Sequence, residues 1–161
     1  PMQKENISSF GFDKVEFFVS TNPGSPFLPL KEVVSGGELS RIMLAIKTVL
    51  GKKENTPILI FDEIDTGISG PMGFVIGKKL KQLSLKNKQI FCITHLPQIA
   101  CFADRHFSVK KQQKDKTTIF VETLDEKSRT EEIARMLSGA KVDEISLQHA
   151  KNLLKEALEI V

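Results

Sequence analysis

An unbroken run of apolar residues, Ile58–Phe61, stands directly before two adjacent acids, Asp62 and Glu63. Such a run predicts a central parallel strand that is buried on both faces, because a half-solvated strand would alternate polar and apolar positions. A second run, residues 89–94, predicts a neighbouring buried strand that ends at His95. Since ligands bind at the carboxyl ends of strands in open α/β sheets, we expect the acids and the histidine to share that edge.

Helical periodicity marks the segments beside these strands. From Gly36 to a stop at Gly51, the apolar residues fall on one face of a helix. Between the two strands, a loop at residues 64–70 leads into a second helix, with Ser69 as the expected cap and Pro71 in the first turn. Strand, helix and strand in this order imply parallel pairing. The apolar face of the first helix consists of Leu39, Ile42, Met43, Ile46, Val49 and Leu50.

The pattern changes after the second strand. Residues 106–111 and 117–124 alternate like antiparallel strands around a charged tip at residues 112–116. The lysines of this hairpin, from Lys110 to Lys116, either face solvent, which is the commoner case, or contact DNA phosphates. The expected fold class is thus α/β, with a mostly parallel sheet flanked by helices and a β-hairpin.

Further expected elements are a strand at residues 14–20, a loop after it, a short helix at 98–103 and two closing helices at 129–137 and 144–161.

Size and composition set the remaining limits. With 161 residues, 40% of them hydrophobic, the chain is predicted to form a single domain over residues 1–161. Its net charge of +3 neither requires nor excludes a nucleic-acid partner. Cys92 and Cys101 lack metal-ligand spacing and are expected to be small buried residues. No apolar run has the length of a signal peptide or a membrane span, so we expect a cytoplasmic protein without a membrane partner. The sequence opens on Pro-Met and has no obvious first element, which is consistent with a piece of a longer protein.

Adjacent acids at the end of a strand suit two chemical roles. Asp62 can help to hold Mg²⁺, directly or through water, while Glu63 accepts a proton from an attacking water. The alternative is a strand that simply ends in two solvated acids.

The start of the first helix has the sequence Ser-Gly-Gly-Glu. Ser35 and Glu38 fit the capping-box pattern, in which a hydroxyl and a carboxylate satisfy free amides. A cap does not explain Gly36 and Gly37, because each costs up to about 1 kcal/mol relative to alanine inside a helix. A helix start with exposed amides binds anions, and glycines let a phosphate approach closely. We therefore favour a phosphate site over plain capping.

Two further residues are candidates for the same site. His95 can hydrogen-bond a terminal phosphate or position water, although a single histidine is more often structural. Asp65, in a loop that contains Gly67 and Gly70, can cap a turn or reach across an interface. No P-loop of the form G-x-x-x-x-G-K-[ST] occurs in the sequence, so the usual cradle for the β- and γ-phosphates of a nucleotide is missing.

Taken in order, these motifs resemble the C-terminal half of an ABC-type ATPase head. The resemblance matches residues 35–38 to the signature motif, residues 58–62 to the Walker B strand and Glu63 to the catalytic glutamate. It also matches Asp65 to the D-loop and His95 to the switch histidine. Within that superfamily, the stretches Ser-Gly-Gly-Glu-Leu-Ser-Arg, Phe-Asp-Glu-Ile-Asp-Thr-Gly-Ile-Ser-Gly and Ile-Thr-His-Leu-Pro-Gln-Ile-Ala resemble the RecN family of bacterial SMC-like DNA repair ATPases.

The resemblance implies an ATP site that is assembled from separate pieces. A Walker A segment would lie N-terminal to a long coiled coil, two heads would dimerise around two Mg-ATP molecules, and DNA would bind through the full-length protein. The isolated segment would not hydrolyse ATP. The alternatives are a non-catalytic dimerisation or DNA-binding module and an ABC transporter subunit. The implied site residues are Glu63 and His95 for hydrolysis, Asp62 for the metal, and Ser35, Gly36, Gly37, Glu38 and Asp65 for the nucleotide.

Overall fold

The computed structural model describes residues 11, 15–20, 23–50, 56–113, 117–139 and 141–159. The chain divides into two compact units between Ser35 and Gly36. Among the helices of the described residues, none is both long and apolar enough to cross a membrane.

The first unit contains a small antiparallel ribbon and one helical turn. Strand β1, Phe18–Val19, pairs with β2, Leu28–Pro29, and α1 follows at Leu30–Val33. The strand expected at residues 14–20 is confirmed at β1, and position 14 lies outside the described residues. The expectation of a plain loop after it was wrong, because β2 and α1 form there. A two-residue strand is too short to show alternation, and Pro29, with φ of −53°, already has a helix-like φ where the turn begins.

The second unit follows the predicted order of helices and strands, and the predicted hairpin is confirmed. The fold is α/β, as expected. The predicted stop of the first long helix at Gly51, residues 114–116 of the hairpin tip and the last two residues of the chain lie outside the described residues. The elements of this unit are α2 at Gly36–Leu50, β3 at Ile58–Phe61, α3 at Gly70–Ser84, β4 at Gln89–Cys92, α4 at Pro97–Ala100, β5 at Phe107–Gln113, β6 at Thr117–Thr123, α5 at Glu126–Ser138 and α6 at Glu144–Glu159.

Strands β3 and β4 form the parallel pair that the sequence predicts. Phe61 lies opposite Cys92, so the carboxyl ends of the two strands lie side by side. Within the described residues, these strands pair only with each other, and β5 and β6 form a separate antiparallel hairpin. The pair therefore brings Asp62 and His95 to one edge of the sheet, as expected.

One face of the β3–β4 pair is exposed, which contradicts the expectation of strands buried on both faces. Leu59 and Phe61 are buried, whereas Ile58 and Ile60 are 49% and 69% exposed. Phe91 of β4 is also exposed. The prediction was wrong for this chain because α2 and α3 contribute core residues only to the side of Leu59 and Phe61.

The apolar face of α2 is also largely exposed. Val49 is 85% exposed and Leu39 is 42% exposed, whereas the buried Leu44 lies on the other side of the helix. A mainly apolar groove runs between this face and β3. The groove is lined by Leu39, Ser40, Met43, Lys47, Leu59, Ile60 and Phe61.

Two apolar clusters hold the second unit together. The first joins α2, β3 and α3 around Ile64 and Leu83, and the second joins the end of α4 to α5 and α6 around Ile133. Phe74 and Phe102 pack edge to face, with ring centroids 4.9 Å apart. These clusters fix α3 against the strands and so position the carboxyl edge of the sheet.

The cysteines behave as apolar side chains. Cys101 is buried and Cys92 is half-buried, and neither is in a disulfide. Burial raises the pKa of both thiols to about 12. Both thiols therefore stay protonated at neutral pH, in agreement with the expected role as small apolar residues.

Helix starts follow the predictions only in part. Ser69 occupies the N-cap position of α3 and Pro71 lies in the first turn, as predicted. The Ser69 side chain, however, makes no capping hydrogen bond. Helix α5 begins at Glu126 rather than at residue 129. The reason is a cap that was missed, because Asp125 accepts a hydrogen bond from the amide of Ser128 at 2.8 Å.

Gly77 of α3 is packed so tightly that we expect alanine to be destabilising. An added Cβ would overlap the ring of Phe102 and lie 2.9 Å from the carbonyl oxygen of Gln98. Gly77→Ala should therefore lower the free energy of unfolding by about 1–3 kcal/mol. At Gly70 the added Cβ meets only the amide end of the Gln98 side chain, so Gly70→Ala is a matched control with an expected change below about 0.5 kcal/mol. Urea unfolding measures the free energy of unfolding of the two variants, and equal midpoints would contradict the close packing at Gly77.

Candidate nucleotide site

Asp62 and Glu63 lie exposed at the carboxyl end of β3. The amide of Glu63 donates a hydrogen bond to Oδ1 of Asp62 at 2.9 Å, and the carbonyl oxygen of Glu63 accepts one from the amide of Thr66 at 3.0 Å. Glu63 has a left-handed backbone conformation, with φ of +55°. This conformation costs a residue other than glycine about 1–3 kcal/mol and is typical of functional sites. The turn therefore fixes the direction in which the acids leave the strand.

Two polar residues of α2 hold the loop that carries these acids. The hydroxyl of Ser40 donates to the carbonyl oxygen of Asp62 at 2.8 Å. Nη1 of Arg41 donates to the carbonyl oxygens of Ile64 and Thr66, at 3.1 and 2.8 Å. Sequence reasoning missed both residues as part of the site. The available signal was that they directly continue the Ser-Gly-Gly-Glu stretch and lie off the apolar face of the helix.

Gly36 and Gly37 lie directly beside Glu63. A Cβ on Gly37 would be 2.7 Å from the carbonyl oxygen of Glu63 and 3.0 Å from Cβ of Thr66. Packing within the chain therefore explains a glycine at position 37, which the sequence alone does not reveal. A Cβ on Gly36 would be 2.9 Å from Oε2 of Glu63. Gly36 itself is exposed.

Asp65 joins the loop after β3 to the loop after β4. Its Oδ2 accepts hydrogen bonds from Oγ1 of Thr94 at 2.5 Å and from the amide of His95 at 2.7 Å, and Nδ1 of the His95 ring lies 2.9 Å from the same oxygen. Burial works to raise the pKa of this carboxyl group, but the hydrogen bonds from Thr94 and the His95 amide outweigh burial and lower the pKa. Asp65 is therefore ionised at neutral pH. The His95 side chain is 73% exposed and is open to a ligand.

The structure gathers most of the predicted site residues in the second unit. Glu38 lies half-buried in the first turn of α2, and Ser35 is the last residue of the first unit. The predicted site residues that contact the loop at 62–66 or belong to it are Gly36, Gly37, Asp62, Glu63, Asp65 and His95.

The chemistry of this loop suits a magnesium ion that arrives with a nucleotide. Asp62 offers one exposed carboxylate, of which Oδ1 accepts the Glu63 amide. Mg²⁺ commonly binds one or two carboxylates and completes its octahedron with waters and phosphate oxygens. In the part of the chain that the structure describes, no group of three or more His, Cys, Asp or Glu side chains could hold a metal.

Comparison with known proteins identifies the family. Over 98% of its length, the chain is 46% identical to the DNA repair protein RecN of Halalkalibacterium halodurans and 43% identical to that of Bacillus subtilis. Over 91% of its length, it is 48% identical to RecN of Vibrio cholerae. By sequence, the chain belongs with the RecN proteins. It spans only 26 to 28% of the length of these relatives, and no family model matches it.

The fold comparison agrees with the RecN assignment. A solved structure from work on the "Structural biochemistry of ATP-driven dimerization and DNA stimulated activation of SMC ATPases" superimposes with a TM-score of 0.50 and 20% identity. The match covers 77% of this chain and 81% of the other. At this identity the likeness concerns the fold alone, and it agrees with the expected α/β fold of an ABC/SMC-type head. The RecN relatives are DNA repair proteins by name, so the transporter alternative is not favoured.

The two glycines of the RecN-type helix start are expected to respond differently to alanine. Gly37→Ala forces a methyl group against the backbone of Glu63, so the free energy of unfolding should fall by about 1–3 kcal/mol. Gly36→Ala meets only the end of the Glu63 side chain and gains helix propensity, so its stability should equal that of the wild type or exceed it by up to about 1 kcal/mol. Thermal unfolding measures the stability of both variants relative to the wild type. A larger loss for Gly36→Ala than for Gly37→Ala would contradict this geometry.

Proposed function

We propose that the chain is the C-terminal ATPase-head segment of a RecN-type DNA double-strand-break repair protein and supplies half of a composite Mg-ATP site. One observation supports this most strongly: the loop with the exposed acids Asp62 and Glu63 is tied to the helix that begins at Gly36. Ser40 and Arg41 make these ties through three hydrogen bonds. Acids and a glycine-rich helix start in one connected assembly are what a phosphate-handling site requires.

Each residue at the strand ends has its own proposed role. Asp62 would hold Mg²⁺, mainly through water, and that ion would neutralise charge on the phosphates. Glu63 polarises the attacking water and accepts its proton. His95 contacts the terminal phosphate through its exposed ring. Positioning and charge stabilisation of this kind are the main sources of catalysis in phosphoryl transfer.

The signature residues are proposed to act on the nucleotide of a second head. Ser35, Gly36 and Gly37, followed by Glu38, would present the amides of the helix start to the γ-phosphate that the other copy binds. Exposure of Gly36 supports this role. The structural neighbour comes from a study of ATP-driven dimerization of SMC ATPases, which supports dimerisation as the way to complete the site.

The rest of the head is proposed to come from the N-terminal Walker A segment of the same protein. The RecN relatives extend well beyond the 26 to 28% that this chain matches. Exposed apolar surface is present on β3, at Ile58 and Ile60, and in the groove beside α2. The hairpin adds Val109 and Val121, which lie opposite each other and are 68% and 65% exposed. Burying these surfaces against the N-terminal segment would contribute about 25 cal/mol of favourable free energy for each Å² of apolar area removed from water.

DNA binding and location complete the proposal. We propose that DNA binds through the full-length protein, in the bacterial cytoplasm at the nucleoid, and that hydrolysis opens the head dimer and changes how the protein holds DNA. Of the hairpin lysines, Lys110 pairs with Glu122 at 2.8 Å. This ion pair favours a solvent-facing role over a phosphate contact for Lys110.

Reconstitution of the head tests the proposal. Alone, the chain is expected to bind ATP weakly at most and to hydrolyse none above background. Co-expressed with the N-terminal Walker A segment of a RecN protein, it should form a complex that hydrolyses ATP. Ile60→Asp places a charge on the exposed face of β3 and should abolish the complex, whereas Ile145→Asp on α6, where the side chain is 81% exposed, should leave it intact.

Two results of this experiment would contradict the proposal. One is robust turnover by the purified chain alone, with contaminating ATPases excluded. The other is a chain that never joins the N-terminal segment yet shifts duplex DNA without ATP and with a steep salt dependence, as a non-catalytic DNA-binding module would.

A further inference from the structure

Asp65 does not lie where a residue that contacts nucleotide is expected. The residue is 3% exposed, and one carboxylate oxygen already accepts two hydrogen bonds, from Thr94 and from the His95 amide, and lies 2.9 Å from Nδ1 of the His95 ring. A buried carboxylate with these partners does not reach a phosphate, and its charge would repel one. We propose that Asp65 is a positioning residue, which fixes both the ring and the backbone of His95 toward the nucleotide. This inference rests on the role proposed for His95 in ATP hydrolysis.

The contact with Asp65 decides which nitrogen of His95 faces a ligand. An ionised carboxylate has no proton to donate and would repel the lone pair of an unprotonated nitrogen, so the 2.9 Å separation favours a proton on Nδ1. Nε2 is then left for the ligand. It accepts a hydrogen bond from water when the ring is neutral, and it donates one to a phosphate oxygen when the ring is charged. Asp65 thereby determines the chemistry that His95 offers at the site.

The same carboxylate oxygen also fixes the backbone that carries the ring. It accepts the amide of His95 at 2.7 Å and the hydroxyl of Thr94 at 2.5 Å. The Thr94 hydroxyl oxygen in turn accepts the amide of Leu96 at 3.0 Å. One buried atom therefore restrains the backbone at three consecutive residues, and this places the His95 ring beside the same carboxylate.

Arg41 connects this arrangement to Glu63. Its Nη1 donates to the carbonyl oxygens of Ile64 and Thr66, the residues on either side of Asp65. The turn that begins at Glu63 and the carboxylate that holds His95 therefore belong to one clamped loop. The residue that activates water and the residue that contacts the terminal phosphate are held in a fixed relation.

The tautomer of His95 can be measured in this 161-residue chain without ATP. Nitrogen-15 NMR of the neutral imidazole should show the proton on Nδ1 and none on Nε2. Asp65→Asn keeps the size of the side chain but removes its charge, so the weaker acceptor should allow a mixture of both tautomers. Thr94→Val is the matched control, because it removes one donor to Asp65 but not the ring contact, and it should keep the wild-type tautomer. A proton on Nε2 in the wild type, or an unchanged tautomer in Asp65→Asn, would overturn the proposal.

Turnover provides a second, independent readout. In a full-length RecN-type protein that carries this segment, Asp65→Asn should lower kcat at least about tenfold with little change in KM for ATP. In a His95→Ala background the same change should cost no further activity, because Asp65 acts through that ring. An additive loss in the double variant would overturn the proposal. If the wild-type protein hydrolysed no ATP, the proposed function would fall, whereas the NMR result would still decide whether Asp65 fixes His95.

Discussion

Glu63→Gln in a full-length RecN-type protein is expected to slow ATP hydrolysis by a factor of about 10²–10⁴, while ATP binding and head dimerisation persist. The amide has the size of the carboxylate but cannot accept a proton from water. The side chain is exposed at the end of β3, and the backbone of its loop is held by Ser40 and Arg41. The substitution should therefore leave the fold unchanged. Single-turnover hydrolysis and ATP-dependent dimerisation by light scattering measure the two properties.

A glutamate elsewhere on the surface separates a specific effect from a general one. Glu131 is exposed on α5, and Glu131→Gln should retain wild-type turnover. Undiminished hydrolysis by Glu63→Gln would remove Glu63 from the role of base. Loss of ATP binding together with turnover would instead indicate a damaged site.

Ser35→Arg is expected to lower turnover by a factor of about 10²–10³, the loss that follows when preorganised hydrogen-bond donors to the reacting group are removed. A long side chain before Gly36 would prevent the phosphate of a second head from approaching the start of α2. ATP binding by each head should persist, because the proposed metal ligand Asp62 is unchanged. Steady-state hydrolysis and nucleotide binding measure the two effects.

The start of α3 offers a matched control for this substitution. Ser69 also precedes a glycine at a helix start, is exposed, and makes no capping hydrogen bond. Ser69→Arg should therefore keep most of the turnover. Equal losses in the two variants, or a lower unfolding temperature in Ser35→Arg alone, would argue against a specific role for Ser35.

Local patterns were sufficient to predict the elements that build the site. The apolar run at Ile58–Phe61 and the helical spacing of α2 and α3 depend on neighbouring residues, and the structure confirms these elements and their parallel pairing. The same run misled the prediction about burial. An apolar residue such as Ile60 indicates that the strand face packs against another element. It does not indicate whether that element belongs to this chain.

Contacts between distant residues could not be predicted from such patterns. The carboxylate of Asp65 meets His95, 30 residues further along the chain. Gly37 packs against the backbone of Glu63. A motif that is interpreted only as a phosphate site does not predict this packing. Arg41 holds the loop between these residues because the packing of α2 beside α3 places it there. The type of site residue was therefore predictable, but the direction of each side chain was not.

The mixing of two inactive full-length variants tests most directly whether the serine–glycine helix start and the acids act on one nucleotide from different copies. In a dimer of one Ser35→Arg head and one Glu63→Gln head, one site contains both substitutions and the other contains neither. Random exchange of subunits should therefore restore about a quarter of wild-type ATP turnover in an equal mixture. A mixture that stays as inactive as either variant alone would contradict the shared site.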